Sequence, residues 1–299
     1  MKRTNPSELL IRQRLNALMR SLPGAQLGDP QLLHQARVAS RRLREALPLV
    51  TRGSRGRKLE RTVRRLTRAL GPVRDLDVAL ETLETLTAGG DTPRVAITKL
   101  RQVVREERQR LYVEMRGRVG RVDLDKLRHR TAAASKSHSG GRMRDPKRIA
   151  GARLRAAHRA VRLREAIENA AGIYLPDRLH EVRIAVKKLR YAMEVSRELS
   201  GSRGEARIGT LREAQDLLGR MHDHEVLIAR VRGVQGSSQA PNLRVSGDLD
   251  RLVRRLETEC RQLHGQYMAL RKKLLAICDH TATVPETAAG AAARASSAA

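Results

Sequence analysis

Two stretches of the chain carry side chains suited to holding phosphate oxygens. In LHQARVASRRLREAL (33–47), His34 is followed by Arg37, Arg41, Arg42 and Arg44, with Glu45 as the one acid. In LHEVRIAVKKLRYAM (179–193), His180 is followed by Arg183, Lys187, Lys188 and Arg190. Both follow His-x-x-Arg-x-x-x-basic-basic-Leu-Arg. Guanidinium groups fork bidentately onto phosphate and are less strongly hydrated than ammonium groups. At about 100° per residue, His34, Arg37, Arg41 and Arg44 fall within an arc of about 80° on a helix. Ala36, Leu43, Ala46, Leu47 and Val50 gather on the other side. The second copy behaves alike, with His180, Arg183, Lys187 and Arg190 in one stripe and Val182, Leu189, Ala192 and Met193 away from it. Each motif helix therefore has a core face and a basic face. The chemistry expected is retention of an anion, with each histidine, one turn from an arginine, touching the ligand.

A second pair of segments lies downstream. LGPVRDLDV (70–78) matches LGRMHDHEV (218–226), pairing Gly71 with Gly219 and Asp75 with Asp223. The two motif pairs recur in the same order at nearly the same spacing, so the chain reads as a tandem of two four-helix units. The aspartates are expected to orient a basic side chain or cap a turn, and the glycines to allow close helix approach or a kink. His222-Asp223-His224 has the look of a metal site, but its counterpart Arg74-Asp75-Leu76 cannot ligate alike; neither a metal nor a cofactor is expected. The halves differ in charge: residues 31–78 hold 13 basic and 4 acidic residues, and residues 175–226 hold 10 and 9. Arg57, Lys58, Arg61, Arg64, Arg65 and Arg68 crowd one segment of the first half. In the second, Arg212 keeps the place of Arg64, while Glu213 and Asp216 stand where Arg65 and Arg68 stood. The two stripes are expected to form one site. Bare cationic helices at about 8–10 Å repel, and a polyanion between them relieves that repulsion.

Helical periodicity must position all of these residues, and no run alternates as a strand would. Asn5-Pro6-Ser7-Glu8 and Asp29-Pro30 read as helix starts. Residues 54–88 read as a helix broken or kinked at Gly71-Pro72, and 93–120 as another. The second half reads as helices over 147–172, 176–200, 203–232 and 248–279, with a loop from 233 to 247. The halves span 1–130 and 150–280. Between them, 131–149 loses periodicity and reads as a linker, and 281–299 as a disordered tail.

Composition limits the partners. Lys plus Arg number 61 against 32 Asp plus Glu, for a net charge of +29, which calls for a polyanion. The chain lacks Trp and Phe and has four Tyr, a poor supply of the platforms on which single-stranded nucleic acid stacks. Duplex binding through phosphates alone stays open. Two cysteines and no apolar leader fit a cytoplasmic protein. No window has the ~18 apolar residues of a membrane span.

The paired motifs, the paired Leu-Gly-x-x-x-Asp segments and Leu189-Arg190-Tyr191 resemble the CHAD domain, the conserved histidine α-helical domain, over roughly residues 7–279. The resemblance implies an all-α fold of two four-helix bundles related by a pseudo-twofold axis, with basic helices lining a central groove or pore. It implies binding of inorganic polyphosphate, in some members at polyphosphate granules. Carried over by position, the binding residues are His34, Arg37, Arg41, Arg42, Arg44 and Arg64, with His180, Arg183, Lys187, Lys188, Arg190 and Arg212. Glu45 departs from the pattern, its counterpart being Tyr191. Pro48 stands where the second copy has Glu194, so the first motif helix is expected to end earlier. The Glu-x-Glu-x-Lys signature of an attached triphosphatase is absent; Glu257-Thr258-Glu259-Cys260-Arg261 is the nearest run. No enzyme activity is expected. The alternatives are nucleic-acid binding through the phosphate backbone and a phosphorelay through His34 or His180, against which the dense arginine argues.

Overall fold

The computed structural model describes residues 6–51, 53–88, 94–136, 145–201, 204–237 and 242–283. Ten helices and no strand occur among them: α1 (Pro6–Gln26), α2 (Pro30–Val50), α3 (Gly53–Ala69), α4 (Gly71–Ala88), α5 (Arg94–Gly120), α6 (Leu124–Lys136), α7 (Pro146–Asn169), α8 (Pro176–Ser200), α9 (Glu205–Gln235) and α10 (Leu243–Ala282). The fold is all-α. Each motif helix begins as its sequence dictates. Asp29 caps α2 by accepting from the Leu32 N–H, with Pro30 in the first turn, and α8 opens on Pro176 and closes on Gly201 in the left-handed region (φ 65°). Leu33, Ala36, Leu43, Ala46 and Leu47 of α2 are fully buried, as are Val182 and Leu189 of α8. Val50's side chain lies outside the described residues.

Several expected boundaries move. α2 does not end at Pro48 but runs through it to Val50. Proline costs least near a helix end, where few inward bonds remain to be lost, and Leu43, Ala46 and Leu47 hold the final turns in the core. The first half contains an additional helix, α6. It enters the range expected as a linker because Leu127 packs into the core and Thr131 is buried. Residues 137–144 of that range, and the expected tail from 284 onward, lie outside the described residues. At Gly71-Pro72 the chain breaks into α3 and α4, whereas the matching segment of α9, with Arg220 in place of Pro72, continues unbroken. α10 starts earlier than expected, capped by Asn242, so the 233–247 loop is short.

The buried side chains form three clusters. One joins α1, α2 and α3 with the ends of α5 and α6, and takes Val195 and Leu199 from α8. The second joins α7, α8, the first part of α9 and the second part of α10. The third belongs to both halves: Leu76 and Leu83 of α4 and Ile97 and Leu100 of α5 pack with Leu227 and Ile228 of α9 and Leu252 and Leu256 of α10. This shared core fixes α4 against α9, and α2 also contacts α8. The result is that the basic faces of α2 and α8 stand across a common cavity.

Candidate functional site

The cavity has a volume of about 540 Å³ and takes side chains from α2, α3, α4, α8 and α9. Its cationic lining is Arg37, Arg41, Arg44, Arg68, Arg183, Lys187, Lys188 and Arg230; its carboxylates are Glu45, Asp75 and Asp223. Glu45 is buried and ion-paired to Arg155 of α7, outside the lining, so it offsets little of the cationic surplus. Arg230 is held by Glu107. His180 and His222 complete the polar wall.

The paired segments explain themselves here. Arg37 donates from Nη2 to Asp75 Oδ1 at 3.2 Å, and Asp223 provides the matching charge beside Arg183. Each aspartate thus steadies an arginine of the basic stripe in its own half. The glycines sit behind the same arginines. A Cβ built on Gly71 would lie 2.5 Å from Arg37 Nη1, and one on Gly219 would lie 3.9 Å from Arg183 Nε. A Cβ at Gly71 would have to push aside the flexible end of Arg37, whereas one at Gly219 would meet only ordinary contact.

Burial and charge crowding shift several titratable groups of the lining. Burial, then Arg41, pushes the Arg37 guanidinium down to about 10. Arg183 is lowered by burial, and its Nε is buried without a hydrogen-bond partner among the described residues. Lys187 is pushed down to about 7 by burial first and then by Arg183, Arg41 and Arg37, cations drawn from both halves. Burial and the neighbouring Asp75 raise the Asp223 carboxyl to about 6, against the pull of Arg183. His180 and His222 meet Nδ1 to Nδ1 at 3.1 Å, with ring centroids 4.3 Å apart. Burial and Arg183 push both histidines down, His222 to about 4. An anion in this cavity would relieve all of these cationic strains together.

Of the twelve residues carried over by position, seven line the cavity: Arg37, Arg41, Arg44, His180, Arg183, Lys187 and Lys188. His34, Arg42 and Arg212 instead line a second depression on the other side of α2, with Arg14, Arg20 and Arg197. His34 is therefore not the spatial counterpart of His180. Arg64 is exposed on α3, close enough to Arg44 to lower its pKa. Arg190 is buried and anchored: it donates to Glu194 and, from Nε at 3.0 Å, to Gln215, with its guanidinium 4.4 Å from the Tyr191 ring centroid. It holds α8 in place and does not face the cavity. Sequence reading did not include Arg68, Arg230 and His222 in the site. Arg68 stood in the basic run, and His222 stood in the paired segment opposite Arg74, where it was weighed only as a metal ligand; Arg230 lies on α9 beyond that segment.

The family model of the CHAD domain matches residues 9–232. The chain belongs to the CHAD domain family. A crystal structure of the CHAD domain from the plant Ricinus communis aligns over 90% of each chain with a TM-score of 0.65 at 20% identity. The structure described as PptA from Streptomyces chartreusis aligns with a TM-score of 0.65 at 16% identity, over 89% of this chain and 98% of that one. At these identities the likeness shows that the CHAD fold is shared. A search of the curated proteins finds no match. No helix of this CHAD domain is, among the described residues, long and apolar enough to cross a membrane.

Proposed function

We propose that the chain binds inorganic polyphosphate in the cavity between its two halves, as a cytoplasmic binder of stored polymer rather than as an enzyme. The observation that carries this reading is the cationic surplus of a cavity lined from both repeats. The lining draws on equivalent positions, Arg37 with Arg183, Arg41 with Lys187 and Asp75 with Asp223, which supports a pseudo-twofold groove. A flexible polymer with about one charge per phosphate needs such a lining and nothing on which to stack. The phenol in the lining, Tyr191, has its ring engaged by Arg190, which argues against a base platform of the kind worth about 1–3 kcal/mol per base. The guanidiniums that dominate the lining fork onto phosphate oxygens without giving up a proton, which suits holding a phosphate chain.

Competition between polyphosphate, single-stranded RNA and duplex DNA of equal charge, at physiological salt, tests the reading. Polyphosphate should displace both, and its affinity should fall steeply with salt as counterions are released. Equal or tighter binding of RNA or duplex would replace polyphosphate with nucleic acid as the partner.

A further inference from the structure

The exposed face of α3 carries six cations that the cavity only partly uses. Arg57, Lys58, Arg61, Arg64, Arg65 and Arg68 are all exposed. None has an ion pair or side-chain hydrogen bond among the described residues. At 100° per residue they fall within an arc of about 120°, and the stripe is about 16 Å long. The opposite side of the helix, Leu59, Val63 and Leu66, is buried. The stripe begins at Arg68, which lines the cavity.

Helix stability does not explain this arrangement. Arg57 and Arg61, Arg61 and Arg65, and Arg64 and Arg68 are like-charged neighbours at i,i+4, a destabilising spacing. Arg57 and Lys58 stand near the helix N-terminus, where the macrodipole disfavours cations. A merely solvated face would mix its charges, and the matching part of α9 does so. There Glu205, Ala206, Gly209, Arg212, Glu213 and Asp216 occupy the equivalent positions, and Glu205 pairs with both Arg197 and Arg212.

Resting on the polyphosphate reading, we infer that α3 is a one-sided exit track, along which a polyphosphate strand continues out of the cavity. The occupant is the same polymer because the track is continuous with the cavity through Arg68 and offers a linear row of unpaired cations. The molecule is then asymmetric for its ligand: the strand is gripped between the halves and extended only over the first. A short oligophosphate fills the cavity alone, and a long chain uses both surfaces.

The test compares tripolyphosphate with polyphosphate of about 100 phosphates in titration calorimetry across a salt series. The variant R57Q/K58Q/R61Q/R65Q leaves Arg64 and Arg68 in place and exchanges exposed residues for a good helix former. A control of equal net charge, R244Q/R254Q/K272Q/K273Q, alters exposed positions of α10. Thermal melts establish that both are folded. For the α3 variant, long-chain affinity should fall at least tenfold, and the slope of log K against log salt should shrink by roughly 3 units, at about 0.7 per lost contact. Tripolyphosphate binding should stay within about twofold, and the control should behave as wild type. Unchanged long-chain affinity and salt slope in the α3 variant would overturn the track. So would an equal loss in the control, which would reduce the effect to net charge. Failure of wild type to bind either polyphosphate is a different result, and removes the cavity reading itself.

Discussion

Lys187 should make polyphosphate binding take up a proton. In the free protein its ammonium is pushed down to about 7, and the ordinary value is 10.5. The cause is burial together with Arg183 on the same helix and Arg41 and Arg37 across the cavity, opposed by Asp75. Asp223 and His222 of α9 face the same group. A polyanion strand among these cations would favour the charged form and return Lys187 toward its ordinary range. At pH 8 the free lysine is about nine-tenths neutral, so binding should take up about 0.9 proton. Between pH 7 and 9 the affinity should fall roughly 50-fold through this residue. Titration calorimetry in buffers of different ionisation enthalpy reads the uptake directly, and Lys187→Met should abolish it. A ligand-free check uses the same group. Its folded pKa lies below its unfolded one, so between about 7 and 10.5 the unfolded chain binds more protons. Unfolding free energy should therefore rise with pH across that window, by about 2 kcal/mol between pH 7 and 9, and Lys187→Met should flatten the rise. Tight binding by wild type at pH 8 without proton uptake, or unchanged uptake in Lys187→Met, would refute the reasoning. The histidines act elsewhere: since burial and Arg183 lower both His180 and His222, their response belongs below pH 6.5, not at it.

Arg190→Ala should destabilise the fold by about 1–3 kcal/mol, because it removes the shorter ion pair of the buried Glu194 and leaves it only Arg42 at 3.7 Å, while the folded fraction binds polyphosphate within about threefold of wild type; melts and calorimetry separate the two. Gly71→Ala should weaken binding about tenfold, roughly one charge-assisted contact, by displacing Arg37 from Asp75, whereas Gly219→Ala, with room for its Cβ, should leave affinity nearly unchanged. A fragment of residues 1–136 should lack a cooperative melt, since Leu76, Leu83, Ile97 and Leu100 lose their cover from α9 and α10; a sharp transition would show that the first half folds alone.

The all-helical fold and the cationic faces were legible because each is local. Periodicity of 3.6 placed Ala36, Leu43, Ala46 and Leu47 on the face opposite Arg37, Arg41 and Arg44. Asp29-Pro30 and Gly71-Pro72 marked a start and a break through backbone chemistry that needs no partner. Residue spacing also paired Asp75 with Asp223 before either had a visible role. What spacing could not decide was which equivalent positions remain equivalent in space. His34 and His180 hold the same place in the motif, yet only His180 reaches the cavity, where it meets His222, whose counterpart is an arginine. Arg44 and Arg190 likewise match in sequence, but Glu194 and Gln215 surround Arg190 and anchor it, while Pro48 stands where a first-half partner would be. Nor could it show that α4 and α5 share a core with α9 and α10, since the contacts between these two pairs join residues more than a hundred positions apart. That shared core brings α2 and α8 to face each other, and only with their cations gathered does Lys187 move toward neutrality. A helix's faces follow from its own sequence; which charges crowd a side chain follows from what is packed across from it.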